Sequence, residues 1–63
     1  MNEQKEIIIE RKANNAVKAI DRRYSALYTC DYFVLCFDDK AIGAFDTMQG
    51  MLESANIHKE NRG

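Results

Sequence analysis

Few residues in this chain could do chemistry. Cys30 and Cys36 supply the thiols, His58 the one imidazole, and Ser25 and Ser54 are further nucleophiles by type. A side-chain nucleophile needs a base within hydrogen-bond reach, and that base needs a group to orient it. No spacing in the sequence supplies such a set. Two cysteines and one histidine are one ligand short of a closed structural zinc site, and their spacing is irregular. Asp31, Asp38, Asp39 and Asp46 do not alternate as the ligands of a calcium loop do, and no glutamate closes the set. Phosphate-loop, dinucleotide and nucleophile-elbow motifs are missing. The expectation is a chain without catalytic, metal or cofactor site.

The cysteines also bear on compartment. If the segment between them is extended, Cys30 and Cys36 stand ~20 Å apart at strand rise, whereas a disulfide needs Cα atoms within ~7 Å. Two free, buried thiols in a reducing compartment are expected, with the cytoplasm as the default location. Met1–Glu6 is charged in both signs and only three apolar residues follow, which is no signal peptide. The longest apolar run, Tyr32–Phe37, falls far short of the ~20 residues of a membrane helix.

Charge is uneven. The net charge is −1 over 63 residues. Residues 1–28 carry six basic and four acidic side chains, while residues 29–57 carry Lys40 against Asp31, Asp38, Asp39, Asp46 and Glu53. Two candidate surfaces follow. The four aspartates bracket the middle of the chain and could form an acidic partner-binding surface that steers association with a basic one; aspartate also suits turns and helix caps. Arg11, Lys18 and Arg22 fall at i, i+7 and i+11, a basic ridge that a nucleic-acid reader could lay against phosphates. An ordinary solvated helix face reads the same way, and no stacking or recognition-helix signature accompanies the ridge.

The elements that must position these residues are read from apolar periodicity. Ile9, Ala13, Ala16, Val17, Ile20, Tyr24, Leu27 and Tyr28 recur at spacings of three and four, which predicts one helix from about Gln4 to about Leu27. Ile7–Ile9 could instead begin a strand, three β-branched residues in a row favouring it. Tyr32–Phe37 is a continuous aromatic and β-branched run, a buried strand. Asp38-Asp39-Lys40-Ala41 reads as a turn and Ile42–Phe45 as a second strand, with Gly43 at a bulge or a close backbone approach. Asp46 or Thr47 would cap a short helix carrying Met48, Met51, Leu52 and Ala55. Gly50 weakens that helix by about 1 kcal/mol relative to alanine. His58–Gly63 would fray. The expected fold class is α+β, a single α-β-β-α domain over residues 1–63. The alternative is an all-α helical hairpin in which Ala41–Ile57 is one helix.

A helix of such length outruns a six-residue hairpin, and a two-stranded hairpin is weakly stable with both edges open. A homodimer, through helix packing or strand pairing, would relieve both mismatches. The function expected is a small non-enzymatic interaction protein that binds and modulates a larger protein or nucleoprotein. The chain has the size of phage or mobile-element accessory proteins, anti-CRISPR inhibitors of host nucleases among them, and the acidic hairpin would enter a basic channel. The alternative is a dimeric nucleic-acid-binding regulator using the ridge.

Overall fold

The structure, a computed structural model, describes residues 2–62. Its order is α1 (Asn2–Ile20), β1 (Tyr24–Thr29), β2 (Tyr32–Phe37), β3 (Lys40–Phe45) and α2 (Met48–Arg62). The three strands form one antiparallel meander in the order β1-β2-β3, with both helices on one of its faces. This is the small α+β domain expected, with one strand more. The hairpin of Tyr32–Phe37 with the segment ending at Phe45 is present, and residues 40–45 are a strand and not the start of a long helix. Ile7–Ile9 belong to α1.

The main correction is where the first helix ends. It stops at Ile20, and Tyr24, Leu27 and Tyr28 lie on a strand. Those three positions fit a 3.6-residue stripe, but Tyr24, Ala26 and Tyr28 fit a period of two equally well, and it is these that turn inward. A turn and a long-range cap settle the choice. The Asp21 side chain accepts a hydrogen bond from the Arg23 amide at 3.0 Å within the three-residue turn Asp21–Arg23. The Lys59 ammonium donates to the Ile20 carbonyl at 2.7 Å and caps the helix end.

Both hairpin loops are two residues long and left-handed at both positions. Cys30 and Asp31 have φ of 52° and 67°, Asp38 and Asp39 of 51° and 67°. Positive φ at both central residues is the type I′ geometry, whose twist matches that of the strands it joins. The second loop is therefore tighter than the four-residue turn expected, and β3 resumes at Lys40. Between Leu35 and Cys36 the register with β3 slips by one, so Ile42 is the extra residue of a bulge. Gly43 follows it, and a Cβ there would lie 2.9 Å from the Phe45 ring. The glycine thus sits next to the bulge, and the close approach at it comes from the Phe45 side chain and not from a backbone.

The core joins Ala13 and Val17 of α1, Tyr24, Ala26, Phe33 and Leu35 of the sheet, and Met51 and Ala55 of α2. Thr47 is the cap of α2: its hydroxyl accepts from the Gly50 amide at 3.1 Å. Residues 58–62 continue α2 and do not fray as expected, because their side chains are tied to the α1–β1 junction; Gly63 lies outside the described residues.

Candidate interaction surface

The acidic residues do not form one surface. Asp31 sits in the β1–β2 loop and Asp46 just after β3, at one end of the sheet. Asp38 and Asp39 sit in the β2–β3 loop at the other end, one strand length or roughly 20 Å away. Asp38 is also engaged. Both its oxygens meet the Arg23 guanidinium, with Arg23 Nε donating at 2.9 Å, and that side-chain hydrogen bond holds its carboxyl below the usual carboxylate range. Asp39 is exposed and, among the described residues, has no ion pair.

The basic ridge is likewise incomplete. Arg11 and Lys18 are exposed on α1, but Arg22 lies past its end in the turn, so the alignment over eleven residues does not hold. The two thiols are free, as expected. Cys36 is buried, whereas Cys30 is exposed in its loop. His58, expected beyond the last helix, is inside α2. Its Nδ1 is hydrogen-bonded to the hydroxyl of the fully buried Tyr24 at 2.8 Å, and its ring packs 5.0 Å from that of Phe37. The imidazole thus meets the polar tip of a core tyrosine. Around it, Arg62 pairs with Asp21 at 2.7 Å. Arg23 and Arg62 both lie over the Phe37 ring, at 4.6 and 4.7 Å from its centroid. The Asp21 carboxyl is held low first by the Arg23 amide and then by Arg62. Among the described residues no group of three histidine, cysteine or acidic side chains is placed to hold a metal ion, and no helix is long and apolar enough to cross a membrane.

A surface the sequence reading missed is the outer face of the sheet. Phe33, Leu35, Tyr24 and Ala26 point to the helices, so the alternate positions point away. Register aligns Leu27 with Val34 and Val34 with Ala44 across all three strands, then Ser25 with Cys36 and Cys36 with Ala41, then Thr29 with Tyr32. None of these positions is charged, in a chain that is 30% charged. Leu27 and Tyr32 keep 49% and 39% of their surface in solvent. A groove along the flank of α1 brings Ile7 near Leu27, with Glu10, Arg11 and Asn14 lining it as well.

The two sheet edges differ. On β1, the amides of Ala26 and Tyr28 donate to Asn14 Oδ1 at 3.1 Å and to Glu10 Oε2 at 3.0 Å, so α1 closes that edge with its own side chains. Asn14 and Glu10 are four residues apart on one helix face, matching backbone amides two residues apart on a strand. On β3, no side chain among the described residues does the same. Comparison with known protein families, curated proteins and solved structures finds no match.

Proposed function

We propose that this chain is a small non-catalytic interaction protein that docks on a larger protein or nucleoprotein through the uncharged outer face of its sheet. The observation that carries the reading is the contrast between that face and the rest of the molecule. Its positions include no charge, and Leu27 and Tyr32 stay exposed there beside a half-buried Val34 and a buried Cys36. Both helices are spent on the opposite face. A contiguous exposed apolar surface rimmed by polar residues is the signature of an interaction site. The partner surface it fits is uncharged and apolar at its centre, since a charge opposite Leu27 and Val34 would be desolvated without a counter-ion. The acidic ends have a secondary part: the loop with Asp39 and the pair Asp31 and Asp46 flank the face and steer approach to a partner with a basic rim.

The test is recovery of the partner from native host extract with the wild-type chain as bait, followed by binding measurements on variants. Leu27→Lys and Val34→Lys should abolish binding while the circular dichroism spectrum is kept. Asp39→Asn should slow association by a factor of a few and leave dissociation unchanged. Loss of binding on Asp39→Asn with none on Leu27→Lys would overturn the face and restore the acidic tip. Direct, salt-sensitive binding to DNA or RNA, lost on Arg11→Glu with Lys18→Glu, would establish the nucleic-acid reading instead.

A further inference from the structure

We propose that two copies of this chain join through the open edge of β3, antiparallel about Gly43, into one six-stranded sheet. An unpaired strand edge is a template for another strand, and proteins usually blunt it by a helix, a charge within the strand or a bulge. The β1 edge is blunted by Asn14 and Glu10. Along β3, Ala41, Ile42, Gly43 and Ala44 carry no charge, and the extra residue of the bulge, Ile42, is an apolar side chain left 41% exposed. That bulge bends the edge without making it polar.

The charges at the two ends of this edge choose the occupant. Lys40 opens β3 and Asp46 follows its last residue, both exposed. Asp46 is not occupied as a helix cap, because Thr47 has that role. Reversed on itself about Gly43, the edge sets Lys40 opposite Asp46 of the second copy, once at each end. The edge is thus its own complement, which is the condition for a two-fold contact. Gly43 presents no side chain where the two strands cross.

The pairing also explains a mismatch of size. One outer face, three strands wide and six residues long, covers only about 300 Å² in plan, whereas a stable interface takes about 800 Å² from each partner. Two joined sheets double the uncharged face. The self-contact does not depend on which partner that face meets.

Sedimentation or light scattering of the purified chain tests the proposal with no partner present, so its failure would leave the docking face to be judged on its own experiment. The measured mass should rise to twice the 7.3 kDa of the chain as the concentration approaches about 100 µM. Lys40→Glu and Asp46→Lys should each weaken the dimer about tenfold, by placing like charges opposite each other at both ends. The double variant should recover most of the loss, which a merely structural role for either residue would not produce. Ile42→Lys should give a monomer with an unchanged circular dichroism spectrum. A monomer throughout, a dimer indifferent to both single changes, or two single losses without recovery in the double variant would each overturn the proposal. So would a dimer abolished only by Leu27→Lys, which would place the self-contact on the sheet face.

Discussion

Asp39 and Asp31 hold φ of 67° in the second positions of their loops, where type I′ geometry favours glycine. A left-handed backbone costs a side-chain-bearing residue roughly 1 kcal/mol, somewhat less for aspartate. Asp39→Gly and Asp31→Gly should therefore each raise stability by about 0.5–1 kcal/mol, read as a higher denaturant midpoint at unchanged slope. Asp38 is different, because it holds Arg23, and Asp38→Asn should lower the midpoint. The same pair and the Arg62–Asp21 pair set the response to acid. Both carboxyls are held below their ordinary value in the folded chain, Asp38 by Arg23 and Asp21 by the Arg23 amide and Arg62. Their contribution is complete above the unfolded aspartate value of about 3.9 and is lost as the pH falls through the depressed folded values. Denaturation midpoints followed from pH 6 to pH 2 should drop below pH about 4, and less steeply in the Asp21→Asn, Asp38→Asn double variant.

At the scale of elements, two contacts make the sheet specific. Adding a methyl group at Gly43 drives it against the Phe45 ring, so Gly43→Ala should cost about 1–2 kcal/mol. Phe45→Leu should cost less in that background than in the wild type, a coupling that a thermal or denaturant double-mutant cycle would measure. Asn14→Ala and Glu10→Ala should each release one β1 amide, at about 1 kcal/mol, with hydrogen exchange quickened at Ala26 and Tyr28 respectively. Tyr32–Phe37, Gly43 and Thr47 were legible in the sequence because each rests on local chemistry: a β-branched run, a missing side chain, a hydroxyl before an apolar stripe. The end of α1 was not, because Tyr24 and Tyr28 satisfy two periods at once and the decision is made by Asp21 and by Lys59, 39 residues after the carbonyl it caps. The edge-closing pair of Asn14 and Glu10 was illegible for a similar reason. Their spacing has meaning only once a strand runs beside the helix.

For the whole molecule, the shorter helix and the third strand change what is incomplete. A 24-residue helix over one hairpin would need a second copy merely to cover its stripe. The 19-residue α1, about 28 Å long, still outruns the ~20 Å of β1, and Ile7 and Ile8 stay exposed on it. Also open are the other side of the sheet and one of its edges, and the candidate surface was unreadable until β1 existed to place Leu27 beside Val34. The core lies within one chain, so the Leu27→Lys and Ile42→Lys chains should melt at low concentration within a degree or two of the wild type, since exposed changes usually stay within about 0.5 kcal/mol.

Lys59, Arg62 and His58 together fasten the last turns of α2 to Ile20, Asp21 and Tyr24. All three follow α1 and the three strands in the chain, so every element of the sheet is made before these side chains exist. The junction where helix gives way to strand is thus locked by side chains made after both of the elements it joins. Until then the segment from Ile20 to Tyr28 is free to extend the helix along its second period. A chain truncated after Ile57 should show more helix and less sheet by circular dichroism than the chain through Arg62, and the side chains of residues 58–62 would complete the switch between them.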